Sequence, residues 1–250
     1  MIIIKKETDI NSMRKSGRIL SKVMNSLVEN TNEGVTTKYL DNIAYDLIQG
    51  YGAYPSFLGY NGFPGSICTS INDEVVHGIP STERVLYSGD VLSVDIGVVF
   101  DGFHADMAVT VPIGEVSKKV KQLINTTKQA LYDGINKCRI GNRVGDIGNA
   151  IENLVKRNGF SVVREYVGHG IGKSLHEEPQ IPNFGLKNTG AKLVQGMALA
   201  LEPMVNMGTW RTRVENDQWT VTTKDGMPSV HFEHTILVTD NEPEILTELD

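Results

Sequence analysis

Only two cysteines occur in the 250 residues, Cys68 and Cys138, far apart and in no Cys-x-x-Cys pattern, which argues against a disulfide framework or a zinc ribbon. No stretch approaches the roughly 20 apolar residues of a membrane span, and the opening MIIIKK has too short an apolar run for the core of a signal peptide. A cytoplasmic protein that does not enter membranes is expected. Positive charge is not in excess either: the formal net charge is -6, so there is no general attraction to phosphate backbones, and DNA is not an expected ligand. No Pro/Ser-rich linker, charge block or composition shift divides the chain, and one domain over residues 1–250 is expected. The 40% of hydrophobic and 22% of charged residues are those of a globular chain with a sizeable core.

The first half opens on helical periodicity. From Thr8, read as an N-cap, apolar residues recur at Ile10, Met13, Leu20, Met24 and Leu27, and a second helix is predicted from Thr37 to about Gln49. Two more are predicted over 116–137 and 145–158, the latter ending before Asn158-Gly159. Between and after these pairs the period shifts to two, in VLSVDIGVVF and HFEHTILVT. Paired helices and grouped strands predict an α+β architecture with a largely antiparallel sheet. The chain also echoes itself. HGI occurs at His77 and His169, followed 18 residues later by Asp95 in GDVLSVD and 33 residues later by Glu202 in GMALALE. A duplication would set two related halves face to face, each delivering a His and a carboxylate to one cleft; chance likeness of short strand strings is the alternative.

VDIGVVFDGFHADMAV carries the most local geometry. Asp101-Gly102 is a two-residue hairpin signal, because a type I′ turn needs positive φ at both central positions. Phe100 then faces Phe103 and Gly97 faces Asp106, so that Asp95, Gly97 and Asp106 share one face of the ladder. Two carboxylates on a solvated face would be unremarkable. On a buried face they must be protonated, paired or bound to a cation. His169, Glu202 and Glu233 stand in similarly apolar or Gly-rich surroundings, in VGHGIG, ALALEPMV and VHFEHTILV. Two Asp, two Glu and one His make an oxygen-rich set able to hold two divalent ions about 3.5 to 4 Å apart.

FPGSICTSINDEVVHGIP, VDIGVVFDGFHADMAVTVPIG, GHGIGKSLHEEPQIPNFG, MALALEPMV and HFEHTILVT together resemble the type I, bacterial-type methionine aminopeptidases, over essentially the whole chain. The resemblance implies a pita-bread fold, with two pseudo-symmetric halves around one dinuclear site. It also implies removal of the initiator Met from nascent proteins whose second residue is small, by a water or hydroxide held between two divalent ions. Asp95 would chelate one ion, His169 and Glu202 the other, and Asp106 and Glu233 would bridge them. Glu202 would act as base and then acid, His77 would contact substrate near the scissile bond, and His176 would donate to the carbonyl oxygen. Phe57, Tyr60, Phe63, Leu175 and Trp219 fall at family pocket positions, where aromatic walls suit a thioether. The chain departs from many relatives at Phe57, Leu175 and Gly97, which leaves pocket shape and metal affinity open.

The donor set accepts Mn²⁺, Fe²⁺, Co²⁺ or Zn²⁺ alike. The implied partners are the N-termini of nascent polypeptides, with a transient ribosome contact, and a monomer is expected. His104 and His231 are read as structural, His234 as facing away from Glu233, and Glu177 and Glu178 as capping or solvating the turn before Pro179. Two rivals remain. A peptidase of the prolidase or aminopeptidase P kind shares all five ligands but normally carries a further N-terminal domain, for which 250 residues leave no space. A non-catalytic binding protein on the same scaffold would be expected to have lost ligands.

Overall fold

The computed structural model describes residues 1–248. Helices α1 (Glu7–Asn30) and α2 (Thr37–Gly50) come first, followed by strands β1 (Tyr54–Pro55), β2 (Ile67–Ile71), β3 (Glu74–Val76), β4 (Val91–Phe100) and β5 (Phe103–Pro112). Helices α3 (Lys118–Ile135) and α4 (Val144–Arg157) open the second half, followed by β6 (Ser161–Val162), β7 (Gly168–Gly170), β8 (Glu177–Ile181), β9 (Ala198–Leu201) and β10 (Met204–Asn206). The chain finishes with β11 (Thr212–Val214), β12 (Val221–Thr223), β13 (Ser229–His231), β14 (Glu233–Leu237) and β15 (Glu244–Ile245).

The expected helices form, with ends set by their caps. α1 starts before Thr8: the Asp9 carboxylate accepts the Lys6 N–H at 3.0 Å, so the cap is Lys6. The Thr36 hydroxyl accepts from Tyr39 N and starts α2. Ser117 caps α3 through Val120 N at 3.2 Å, two residues inside the predicted start. At α4, Asp146 accepts the Arg143 N–H at 2.8 Å, which sets the start at Val144.

The main sheet runs β1-β4-β5-β14-β9-β7-β8, with β2 added on β4 and β15 on β14, and every recorded pair in it is antiparallel. Alternation along β4 decides where each side chain goes. Leu92, Val94, Ile96 and Val98 are buried in a core with Leu20, Met24, Leu27, Leu40 and Ile48 of α1 and α2, while Ser93, Asp95 and Gly97 take the opposite face. In the second half, Leu199, Leu201 and Ile236 pack with Leu123, Leu131, Ile147, Ile151 and Val155 of α3 and α4. Full burial of each such side chain is worth about 1.5–3 kcal/mol. The two halves correspond: β4, which takes up VLSVD of the first string, and β9, which takes up ALAL of the second, flank the central pair β5 and β14, and each half is covered by its own two helices.

HFEHTILVT departs from its reading as one strand. β13 stops at His231 and joins β10 and β6 in a separate three-stranded sheet, while β14 starts at Glu233 in the main sheet. The chain breaks at Phe232, whose N–H bonds Pro203 O at 3.4 Å.

Candidate metal and peptide site

The β4–β5 hairpin has the predicted register: Phe100 pairs with Phe103, Val99 with His104, and Gly97 with Asp106. Asp101 and Gly102 adopt φ of 50° and 75°, the positive values the turn requires. Glu233 lies across from Ala108 of β5, Glu202 directly follows β9, and His169 pairs with Ala200. The five predicted ligand residues therefore follow strand order, with Asp95 on β4, Asp106 on β5, Glu233 on β14, Glu202 at the end of β9 and His169 on β7. All five line a single cavity of about 240 Å³.

Ligand atoms of Asp106, His169 and Glu233 lie within 4.8 Å of one another. His169 Nε2 is 3.9 Å from Asp106 Oδ2 and 3.7 Å from Glu202 Oε1. Its Nδ1–H donates to Gly170 O at 2.9 Å, which leaves a lone pair on Nε2 facing two carboxylates. Burial holds this imidazole neutral, with its pKa lowered to about 4. Burial raises Asp95 to about 7 and lifts Asp106, Glu202 and Glu233 well above the carboxylate range, the neighbouring carboxylates adding to the rise. Asp95 Oδ1 and Glu233 Oε1 are buried without a hydrogen-bond partner. Ionised, these carboxylates are acceptors that face one another with nothing to donate, a costly arrangement that only protonation or a cation relieves. Divalent cations resolve it by supplying the missing positive charge, so the donor set fits the metals that the sequence implies.

Around this floor the wall is apolar. Phe57, Tyr60, Phe63, Leu175 and Trp219 all line the cavity, together with His77 and His176. Phe63 and Trp219 meet edge to face at 5.1 Å between centroids, and His77 sits edge-on to Trp219 at 6.4 Å and to Tyr166 at 5.8 Å. Gly97 makes room for the Phe57 wall: a Cβ there would lie 2.9 Å from Phe57 Cε1 and 2.8 Å from Ser56 Cβ. His176 Nδ1 is 2.7 Å from the Tyr60 hydroxyl.

Cys68, Val76 and Tyr166 also line the cavity and escaped the sequence reading. Cys68 faces Asp95 across the β2–β4 ladder, a pairing no short-range pattern announces. Two expectations need correction. His231 is not an ordinary structural histidine: its Nε2 is buried without a partner, 3.7 Å from Glu202 and 4.0 Å from Glu233. The signal was its two-residue spacing from Glu233, which on a single strand puts both side chains on one face. Glu177 caps the turn before Pro179 but is not solvated there. It forms an almost fully buried ion pair with Lys5 at 2.5 Å and accepts the Ser174 N–H at 3.3 Å, whereas Glu178 is exposed as expected. His104 does bond Ser56, at 2.8 Å, and His234 faces away to Thr247 at 3.0 Å.

Metallopeptidase family M24 matches residues 11–240, and the chain belongs to that family. The chain is 51% identical to the methionine aminopeptidase of Clostridium acetobutylicum over 99% of both chains, and 48% identical to methionine aminopeptidase 1 of Bacillus subtilis over the full length of both. The crystal structure of methionine aminopeptidase from Thermotoga maritima superposes with a TM-score of 0.98 at 42% identity, covering 99% of this chain and all of that one. The α+β architecture is thus the pita-bread fold.

Proposed function

We propose that this chain is a methionine aminopeptidase, a single catalytic domain that removes the initiator Met from nascent proteins when the second residue is small. The observation that carries the reading is the convergence of Asp95, Asp106, His169, Glu202 and Glu233 on the floor of a cavity with apolar walls. The family uses divalent metal. Here those five residues would hold two ions, with Asp106 and Glu233 shared between them. When bound, the cations supply Lewis acidity, which lowers the pKa of water and draws electrons from the scissile carbonyl.

The protein's own groups account for the rest. The aromatic wall of Phe57, Tyr60, Phe63 and Trp219, with Leu175, suits an unbranched thioether side chain, and sulfur–ring contacts add about 0.3–1.5 kcal/mol each. Glu202 takes up the proton released during attack and returns it to the departing amine; its burial among carboxylates raises its affinity for that proton. His176 donates to the carbonyl oxygen as charge develops there, and His77, in the same cavity, contacts the backbone beside the scissile bond.

Among the described residues, no helix is long and apolar enough to cross a membrane. The same reading makes the chain a cytoplasmic monomer that meets nascent N-termini during transient contact with the ribosome. The test uses metal-stripped protein with Met-Ala-Ser and Ala-Pro-Ala, before and after addition of Mn²⁺ or Co²⁺. Release of Met from the first peptide alone, and only with metal, is expected. Preferred cleavage of Ala-Pro-Ala, or no cleavage of either peptide with metal present, overturns the proposal.

A further inference from the structure

The two histidines of HGIGKSLH touch through their rings, with centroids 4.3 Å apart, yet their Nδ1 atoms meet opposite kinds of partner. His169 Nδ1 lies 2.9 Å from the Gly170 carbonyl, which can only accept, so the ring proton sits on Nδ1 and Nε2 keeps its lone pair for the floor of the site. His176 Nδ1 lies 2.7 Å from the Tyr60 hydroxyl, which can donate. A phenol is a better proton donor than a neutral imidazole N–H, and an imidazole nitrogen is a better acceptor than a phenol oxygen, so the stronger pairing is O–H to Nδ1. The His176 ring proton must then sit on Nε2, across the ring from Tyr60.

We propose that Tyr60 is a positioning residue: its hydroxyl holds His176 in the Nε2–H tautomer and orients that N–H toward the substrate carbonyl. Both the ring proton and the ring rotation are set by one hydrogen bond. The backbone supports this role, because Tyr60 does not sit on a loose loop. Its N–H bonds Phe57 O at 2.9 Å, its carbonyl accepts the Phe63 N–H at 2.9 Å, and the Gly59 N–H closes the turn onto Phe63 O at 2.9 Å. The turn needs left-handed φ on both sides of Tyr60, 78° at Gly59 and 49° at Asn61. Tyr60 thereby acquires a role distinct from that of a pocket wall, which a Phe would fill equally well.

The inference rests on the donor role proposed above for His176, and its test separates the two. Metal-loaded wild type, Tyr60→Phe, His176→Ala and the double variant are compared on Met-Ala-Ser, and ¹⁵N NMR of histidine-labelled wild type reads the ring tautomer. Removing an oxyanion donor outright costs about 10²–10³ in kcat. Losing only its alignment is expected to lower kcat about 10-fold in Tyr60→Phe, with KM within about twofold, and Tyr60→Phe should cost nothing further in the His176→Ala background. The wild-type spectrum should show His176 protonated at Nε2. An Nδ1–H tautomer in wild type, an unchanged kcat in Tyr60→Phe, or an undiminished loss in the His176→Ala background overturns the inference. If the wild type fails to cleave Met-Ala-Ser at all, the proposed function falls, while the spectrum still decides the tautomer.

Discussion

Stripping the metal should make this protein less stable as pH rises through neutrality, the reverse of ordinary behaviour for carboxylates that are ion-paired when folded. Asp95 is raised by burial from 3.8 to about 7. A folded pKa above the unfolded one contributes stability that is complete below the unfolded pKa and lost as pH climbs through the folded one. For Asp95 that contribution is about 4 kcal/mol in acid, of which about 1 kcal/mol disappears between about pH 6.5 and 8. Asp106, Glu202 and Glu233 are raised for the same reason, with mutual repulsion added, and each that stays protonated costs up to about 1.4 kcal/mol more per pH unit. Histidines pull the other way. Burial lowers His77, His169 and His234 to about 4 and His231 to about 3, so their contribution is complete above the ordinary value of 6.5 and is lost as pH falls below it. Between pH 6.5 and 8 each of these histidines still regains about 0.4 kcal/mol as its unfolded form gives up its proton, together more than Asp95 loses, so the downward slope is carried by Asp106, Glu202 and Glu233, each of which loses up to about 2 kcal/mol over the same window while it stays protonated. Urea unfolding of EDTA-treated protein at pH 6.5, 7, 7.5 and 8 should therefore show a net loss of stability across the series. Saturating Mn²⁺ should abolish or reverse the slope, because cations take the place of the protons. Metal-free stability that is flat or rising over this window would refute the electrostatic account of the site.

Asp106→Asn and Glu233→Ala should abolish metal-dependent peptide cleavage, a larger loss than the 10- to 100-fold that removal of an outer partner typically costs. Circular dichroism should show the fold retained, and either variant keeping full activity would contradict the bridging role. Lys5→Met leaves Glu177 buried without its partner and should cost about 3–5 kcal/mol in urea unfolding, most of it recovered in Lys5→Met/Glu177→Leu. Gly97→Ala places a Cβ against Ser56 and Phe57; about 1–3 kcal/mol of lost stability and a raised KM for Met-Ala-Ser are expected as the ring is pushed into the pocket.

Much of the site was written in local pattern. The Asp101-Gly102 turn sets the β4–β5 register by itself, and period-two alternation then places Asp95 and Asp106 on one face while Val94 and Ile96 go to the other. The helices followed for the same reason, since apolar spacing is a property of neighbouring residues, and only their ends moved with the caps. What the sequence could not disclose depends on which distant strands become neighbours. Lys5 and Glu177 are 172 positions apart, and Tyr60 and His176 are 116 apart. No periodicity couples segments so far separated, yet these contacts bury one charge pair and orient one imidazole. His231 shows the limit most clearly: its spacing from Glu233 was visible, but its approach to Glu202 depends on β13 pairing with β10, where His231 lies across from Met204. The sequence alone determined which side chains share a strand face, because turn and pleat geometry are short-range; the tertiary structure decided which faces meet, because sheet pairing is not.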